Sequence, residues 1–284
     1  MSAVTNAPLP DGVHARSIDI PGGPLASLDA EPQGEPRGTI LMVPGFTGSK
    51  EDFRFVLRPL AEQGFRVVAI DQRGQHESKG PENRAAYLID QLAKDVLDVV
   101  EALGDGPVHL VGHSFGGLVS RSAVLQDPTA FRSLVLMDSG PSALTGPRAD
   151  VLPLLKPVLE NGGLEALWEA SRAVAASRPA AREVSEEVEE FHKARMLGSS
   201  MTGLITTADE LTSAPDRVEE LRAVDLPILV MYGEADDAWV PDVQDEMARR
   251  LDAPVIVIPA AVHSPAAENP ALTVQVLRDF LSQV

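Results

Sequence analysis

The chain has 284 residues, of which 44% are hydrophobic, so it can bury the core of one large α/β domain or of a domain that carries an insertion. Its 42 acidic side chains outnumber the 24 basic ones, and the formal net charge of −18 repels nucleic-acid phosphates and anionic lipid surfaces. The sequence contains no cysteine, which excludes disulfide bonds, thiolate metal sites and a cysteine nucleophile.

The N-terminal segment lacks the pattern of a targeting or membrane-spanning sequence. Residues 1–20 contain neither a basic region nor a long apolar one, and no later apolar run approaches the length of a membrane span. We therefore expect a soluble, cytoplasmic protein that acts on a small molecule, with neither nucleic acid nor a membrane as a partner.

Strand-like segments come next along the chain. "HARSIDI" and "PLASLDA" flank the turn sequence "PGGP" and predict an antiparallel hairpin at one edge of a sheet. Six continuous apolar runs follow, as expected of strands buried on both faces: "TILMVP", "RVVAI", "VHLVG", "SLVLM", "ILVMY" and "VIVIP". Helical segments such as "AAYLIDQLAKDVLDVVEALG" separate them. This order predicts an α/β fold with a doubly wound, mostly parallel sheet.

The region between "SLVLM" and "ILVMY" interrupts this alternation, because residues 142–224 have a helical pattern throughout. Two groups of apolar side chains share helical faces there: Leu164, Leu167 and Trp168 in one, and Val184, Val188 and Phe191 in the other. We predict a helical lid, residues 142–224, inserted into a core domain that consists of residues 1–141 and 225–284. Packing of the same side chains against the core domain is an equally good interpretation.

The stretch "HLVGHSFGGLVS" carries a G-x-S-x-G pattern between a predicted strand and a predicted helix. A sharp strand-to-helix turn crowds the side chains near its pivot, and the glycines at 112 and 116 remove that collision. The hydroxyl of Ser114 then stands clear of the sheet, and the N–H of Phe115 faces the place where an oxyanion would form. A glycine-rich turn with a solvated serine has the same pattern, so other groups must decide between the two.

A serine nucleophile needs a base and an orienting carboxylate, and both are present after later strands. Asp236 and Asp237 follow "ILVMYG", and His263 follows "VIVIP". Counting forward from the end of the strand selects Asp236, whereas counting back from Pro241 selects Asp237. We favour Asp236, because the turn after the strand determines the position of its carboxylate more directly.

These motifs resemble those of the α/β-hydrolase superfamily, specifically its capped esterase and lipase-like members. The matching segments, which span nearly everything from Thr39 to Val284, are "VPGFTGS", "DQRGQHES", "GHSFGG", "GEADDAWVP" and "HSPAAENP". The resemblance implies that Ser114 is the nucleophile, His263 the general base and Asp236 its partner. It also implies an oxyanion hole formed by the backbone amides of Phe46 and Phe115, and no cofactor or metal.

Three residues depart from the family's usual pattern. Pro44 replaces a histidine, His76 stands where a glycine is usual, and Val262 replaces the glycine common before the catalytic histidine. None of these changes removes a catalytic group. We interpret His113 as a packed elbow residue rather than a second base, and Asp71 and His76 as parts of a structural loop rather than metal ligands.

The function that the resemblance implies is hydrolysis of a small to medium carboxylic ester through an acyl-enzyme. Related families use the same residues for C–C bond hydrolysis, lyase chemistry or cofactor-free perhydrolysis, and a small-molecule receptor with vestigial hydrolysis is a further alternative. A serine at the elbow argues against dehalogenase and epoxide hydrolase chemistry, for which relatives use aspartate. Trp168 and Trp239 suit substrate contact and core packing equally well.

Overall fold

Eight strands form the central sheet of the computed structural model, which describes residues 4–5, 7–176 and 185–284. They are β1 (Val13–Ile18), β2 (Leu25–Ala30), β3 (Gly38–Val43), β4 (Phe65–Ile70), β5 (Val108–His113), β6 (Phe131–Met137), β7 (Ile228–Gly233) and β8 (Val255–Ile258). Their spatial order is β1-β2-β4-β3-β5-β6-β7-β8. β3 therefore lies between β4 and β5, which matters for the site described below.

The strand directions confirm the predicted sheet. β1 is antiparallel to β2 and β2 is antiparallel to β4, whereas every other neighbouring pair is parallel. The six apolar runs of the sequence correspond to β3 through β8, and the N-terminal hairpin consists of β1 and β2. The fold is thus α/β, doubly wound and mostly parallel.

Helices connect these strands in the described part of the chain. They are α1 (Arg54–Ala61), α2 (Ile89–Leu103), α3 (Phe115–Gln126), α4 (Arg148–Ala176), α5 (Glu186–Gly198), α6 (Met201–Ser213), α7 (Val218–Arg222), α8 (Pro241–Leu251), α9 (Pro265–Glu268) and α10 (Pro270–Leu281). The helical path of α4 breaks at Gly163, where φ is +73°. Among the described helices, none combines the length and the apolarity needed to cross a membrane.

The sheet separates two apolar core layers. Leu41 and Val43 of β3 point into the layer that α2 and α3 cover, and Ile40 and Met42 point into the layer that α1 and α10 cover. Because both faces are buried, the central strands read as unbroken apolar runs rather than as alternating ones. The expectation is wrong for the last run, because β8 lies at the edge of the sheet and its Ile256 and Val257 are exposed.

The described part of the region between β6 and β7 contains the helices α4 to α7 and no strand. Leu167 packs with Leu159 and Leu204 in a separate apolar cluster, against which Phe46 of the loop after β3 also packs. Val188 and Phe191 of the second predicted group are buried, and Val184 lies outside the described residues. The division into core and lid stays a prediction.

Trp239 is fully buried and holds the beginning of this region. Its indole N–H lies 3.1 Å from the carbonyl oxygens of both Ser142 and Ala143. Trp168 on α4 is also buried. Both tryptophans are therefore packed side chains in this structure, which is one of the two uses that the sequence allowed.

Arg121 of α3 is buried and connects the two ends of the same region. One guanidinium nitrogen donates to the carbonyl oxygens of Gly140 and Pro141, where the region begins. The other nitrogen donates to the carbonyl oxygen of Pro215, 3.3 Å away, near its end. Burial lowers the pKa of Arg121 to about 10, so the side chain stays charged at neutral pH.

We expect Arg121→Met to lower the free energy of unfolding by about 2–3 kcal/mol, because methionine fills the volume but leaves buried carbonyl groups without donors. Urea unfolding followed by circular dichroism measures the loss. Arg222→Met, at an exposed position of α7, is the matched control and should change the unfolding free energy by less than about 0.5 kcal/mol. Equal losses in the two variants would contradict a specific role for Arg121.

Candidate active site

The turn between β5 and α3 contains Ser114 in a strained backbone conformation, with φ +54° and ψ −121°. A Cβ atom on Gly116 would lie only 2.3 Å from the carbonyl oxygen of Val43, and one on Gly112 would lie 2.6 Å from the carbonyl oxygen of Gly116. Both contacts involve backbone atoms, which cannot move aside. The two glycines therefore allow β3, β5 and α3 to approach closely enough to form this turn.

Ser114, His263 and Asp236 form a continuous chain of hydrogen bonds. The Oγ of Ser114 lies 3.0 Å from Nε2 of His263, and Nδ1 of His263 lies 2.7 Å from Oδ1 of Asp236. The residues follow β5, β8 and β7 respectively, and all three side chains are buried. The carboxyl ends of parallel strands meet at one edge of the sheet. The fold therefore brings Ser114 and Asp236 to His263, although they are 149 and 27 residues away from it in the sequence.

The carboxylate of Asp236 is oriented by two further donors. The N–H of Ala238 donates to Oδ1 at 2.9 Å, and the side-chain amide of Gln244 donates to Oδ2 at 2.7 Å. Burial raises the pKa of Asp236, while the Ala238 N–H, the charge of Arg148 and the Gln244 amide act in the opposite direction. These two donors hold the carboxylate in the orientation in which its Oδ1 accepts a hydrogen bond from the Nδ1–H of His263.

Asp237, the alternative acid, has a different contact. Its Oδ1 forms an ion pair with Nε of Arg148 on α4 at 2.6 Å, and its carbonyl oxygen accepts the backbone N–H of the same arginine. Of the two adjacent aspartates, Asp236 is the one whose carboxylate contacts Nδ1 of His263.

The loop that carries His263 is held from both sides. Glu268 accepts the backbone N–H groups of Val262 and Ser264, each at 2.8 Å. Nε2 of His113 lies 2.6 Å from the carbonyl oxygen of His263, and burial lowers the pKa of His113, so its neutral ring donates this bond. His113 therefore contacts the backbone of the base and not its reactive nitrogen, in agreement with its interpretation as an elbow residue.

The residues predicted to form the oxyanion hole flank Ser114. Residues 45–48 form a tight turn after β3, in which the N–H of Gly48 donates to the carbonyl oxygen of Gly45 at 3.0 Å. Gly45 is so near that a Cβ atom on it would lie 2.9 Å from the Cβ of Ser114. Phe115 is the first residue of α3, so its N–H has no acceptor within the helix. Among the described residues, no protein acceptor binds the N–H of Phe46 either.

Several residues that support the site were not predicted from the sequence. The carboxylate of Asp138 accepts the N–H of Gly233 at 2.9 Å behind Asp236, and Gln244 and Glu268 bind the acid and the base loop. Asp138 directly follows a predicted strand, which was a usable signal. Gln244 and Glu268 lie on helices, and the sequence gives no comparable signal for their roles, because their partners depend on how the helices pack.

An ionic cluster around the buried ammonium of Lys50 lies beside the turn of residues 45–48. The ammonium of Lys50 lies 3.0 Å from Asp71, 2.8 Å from Glu51 and 2.6 Å from Glu77. Burial raises the pKa of Asp71 to about 7, against the opposing charge of Lys50. Asp71 thus fixes a loop, in agreement with its interpretation from the sequence.

Two groups of described residues bring possible metal ligands within 4.8 Å of one another. In the group of Glu51, His76 and Glu77, both carboxylates already bind the Lys50 ammonium. The other group consists of Asp138, Asp236 and His263, whose imidazole is engaged with Ser114 and Asp236. Each arrangement is therefore explained by contacts within the chain.

His76 adopts φ +42°, a value that glycine takes more readily, at the position where the family pattern has glycine. Its N–H contacts the hydroxyl of Ser199 at 3.3 Å, and its ring meets the ring of Phe191 edge-on at 5.9 Å. The departure from glycine thus provides a contact between the loop after β4 and the helical region.

Known proteins share this fold and this length. A family model described as the alpha/beta hydrolase fold matches residues 38–270. The 2-(acetamidomethylene)succinate hydrolase of Mesorhizobium japonicum is 28% identical to this chain over 254 residues, which cover 85% of this chain and 87% of that protein.

Solved structures agree on the fold. A carboxylesterase structure from Nitrososphaera gargenis has a TM-score of 0.78 at 21% identity and covers 94% of this chain and 98% of that one. A thermophilic esterase from Thermogutta terrifontis has a TM-score of 0.72 at 22% identity, with coverage of 95% and 98%. At these identities the likeness concerns the fold alone.

We expect Gly116→Ala to destabilise the protein by about 2–3 kcal/mol, because the new methyl group meets two backbone carbonyl oxygens that cannot yield. Gly104→Ala is the matched control, since that glycine has a positive φ but no atom within 4 Å of a Cβ, and it should cost about 1 kcal/mol. Chemical unfolding of both variants measures the difference. A Gly116→Ala protein as stable as Gly104→Ala would show that the close approach is not required.

Proposed function

The chain belongs to the α/β-hydrolase fold family, and from that premise we propose that it hydrolyses small to medium carboxylic esters through Ser114, His263 and Asp236. The observation that carries the proposal is the hydrogen-bonded series from the Ser114 hydroxyl through the imidazole to the buried carboxylate, at 3.0 Å and 2.7 Å. It supplies a nucleophile, a base and an orienting acid at one edge of the sheet.

In the first half of the reaction, Oγ of Ser114 attacks the ester carbonyl carbon while Nε2 of His263 takes the hydroxyl proton. The carboxylate of Asp236 accepts a hydrogen bond from the Nδ1–H, which selects the tautomer with a free Nε2 and offsets the charge that the imidazole gains. The protonated ring then gives its proton to the departing alcohol, and the acyl group remains on the serine.

The tetrahedral intermediate places a negative charge on the former carbonyl oxygen. The N–H groups of Phe46 and Phe115 would donate to that oxygen, an effect worth about 3 kcal/mol for each donor. His263 then takes a proton from water while the water oxygen attacks the acyl carbon. The protonated ring returns that proton to Oγ of Ser114 as the bond between Oγ and the acyl carbon breaks and the acid leaves. No step in this sequence requires a cofactor.

The helical region supplies the apolar side of the proposed pocket, and we assign residues 142–224 as its lid. Leu159 and Leu167 of α4 and Leu204 of α6 form one cluster, with Phe46 of the oxyanion turn packed against it. A substrate whose carbonyl oxygen lies at the N–H of Phe46 therefore has its acyl or alcohol part beside aliphatic side chains.

The cations around the site favour a neutral substrate. Lys50 is paired with Asp71, and Arg73 forms a buried salt bridge with Asp95. Arg148 and Arg195 are likewise paired with carboxylates on the loops around the site. An anionic substrate would gain a cationic partner only by breaking one of these pairs. The displaced carboxylate would then lose its partner, and that loss costs more free energy than the new ion pair supplies. We therefore propose neutral esters rather than dicarboxylates such as the succinate in the name of the Mesorhizobium japonicum hydrolase.

We expect turnover of p-nitrophenyl esters from acetate to octanoate, with the highest kcat/KM at a short or medium acyl chain. The matched hemisuccinate ester should have a kcat/KM at least tenfold lower, because desolvating a carboxylate without a partner costs more than about 1.4 kcal/mol. Ser114→Ala is the control and should remove this activity without lowering the unfolding temperature. C–C cleavage of a diketone or peroxide-dependent halogenation without ester turnover would overturn the ester assignment. Inactivity on every substrate would favour a receptor.

We expect Asp236→Asn to lower kcat about 10⁴-fold, because asparagine favours the wrong imidazole tautomer. Asp237→Asn is the matched neighbour and should lower kcat less than about threefold, since its carboxylate belongs to a part-exposed ion pair with Arg148. Steady-state kinetics of the two proteins on the best ester decide between them. The reverse ranking would transfer the orienting role to Asp237.

A further inference from the structure

We propose that Gln75 is a positioning residue for the oxyanion hole: its side-chain amide holds the carbonyl group of Gly45 and so directs the N–H of Phe46 toward Ser114. The amide nitrogen of Gln75 lies 2.8 Å from the Gly45 oxygen, and the side chain is almost completely buried. The inference rests on the proposed function, because it assigns a cause to the direction of one of the two oxyanion donors.

Peptide planarity couples the held carbonyl group to the oxyanion donor. In a trans peptide the C=O of one residue and the N–H of the next point in opposite directions, so holding the oxygen of Gly45 also determines the direction of the Phe46 N–H. That oxygen has two donors, the N–H of Gly48 within the turn and the Gln75 amide from outside it. The hydrogen bond from Gln75 therefore fixes the orientation of this peptide relative to the loop after β4.

The strand order determines where the N–H points. The turn of residues 45–48 follows β3, which lies between β4 and β5 in the sheet. Gln75 belongs to the loop after β4, and Ser114 directly follows β5. A carbonyl group that points to the β4 side places the N–H of the same peptide on the β5 side, where the tetrahedral intermediate on Ser114 would form.

The orientation of the Gln75 amide follows from its partners. Its oxygen accepts the backbone N–H of Gln72 at 3.1 Å, and its nitrogen faces the carbonyl of Gly45. A backbone N–H can only donate and a carbonyl can only accept, so exchanging the two ends of the amide would break both bonds. Rotation of the Gly45 peptide would also leave the Gln75 donor unpaired, which penalises the conformation in which the N–H of Phe46 turns away from Ser114.

A second glutamine in the same loop supplies a matched comparison. The side-chain amide of Gln72 donates to the carbonyl oxygen of Pro44 at 2.8 Å, one peptide upstream. That peptide carries the N–H of Gly45, which is not one of the two proposed oxyanion donors. The two glutamines thus make equivalent contacts with one loop, but only the peptide held by Gln75 contains a donor to the substrate.

The test compares Gln75→Glu, Gln75→Leu and Gln72→Leu on the best neutral ester. Gln75→Glu keeps an acceptor for the N–H of Gln72 and removes the donor to Gly45. Gln75→Leu removes the same donor without adding a negative charge near the oxyanion, so a loss that both variants share is attributed to the missing bond. We expect kcat to fall about 10- to 100-fold in both Gln75 variants, with KM within about threefold of the wild-type value. The affinity for an aryl trifluoromethyl ketone, whose adduct with Ser114 carries an oxyanion, should fall by the same factor as kcat/KM.

The comparison with Gln72 separates peptide orientation from general support of the loop. Gln72→Leu should lose less than about one-tenth of what Gln75→Leu loses in kcat/KM. Equal losses in the two variants, a loss carried by KM, or unchanged ketone affinity in Gln75→Glu would each overturn the inference. If Gln75→Leu does not fold, Gln75→Met replaces it, because methionine is uncharged, of similar volume and also lacks the donor to Gly45.

A second readout separates this inference from the ester assignment. A fluorophosphonate places its phosphoryl oxygen in the same hole, and intact-mass measurements follow its addition to Ser114 without any ester turnover. If the wild type is labelled but hydrolyses no ester, the ester assignment fails, and slower labelling of both Gln75→Leu and Gln75→Glu still supports the role of Gln75. Equal labelling rates would overturn that role, and a wild type that is not labelled would overturn both proposals.

Discussion

The backbone conformation of Ser114, with φ +54°, is the constraint on which the arrangement of the site depends. It is stable only because Gly112 and Gly116 let the carbonyl groups of neighbouring segments approach to within 3 Å of where a Cβ would be. The same close approach brings the turn after β3 against the serine. The proposed nucleophile and the proposed oxyanion donors are thus placed by one packing arrangement rather than by separate ones.

The supporting contacts come from several strand ends, and they reach the helical region between β6 and β7. Arg195 of α5 pairs with Asp52 at 2.6 Å, and Asp52 also accepts the N–H of Ser49 at 3.1 Å, directly after the turn of residues 45–48. The N–H of Ser200 donates to the carbonyl oxygen of Gly74, in the loop that carries Gln75. A chain of short contacts therefore connects the proposed lid with the oxyanion side of the site.

The large negative charge of the sequence says little about the site itself. The basic residues near it form ion pairs within the chain, such as Lys50 with Asp71 and Arg195 with Asp52. The local electrostatic field therefore depends on which charges are paired and not on the net charge of the chain.

The succession of strands and helices along the chain, with Ser114 and His263 after two of the strands, follows from the sequence alone, because strands buried on both faces read as continuous apolar runs. Adjacent residues such as Asp236 and Asp237 could not be separated in this way. Their carboxylates diverge because the turn after β7 directs one toward the imidazole and the other toward Arg148 of α4. The same holds for Gln75 and Gln244, since side-chain amides acquire a role only through partners that distant segments bring within hydrogen-bond distance.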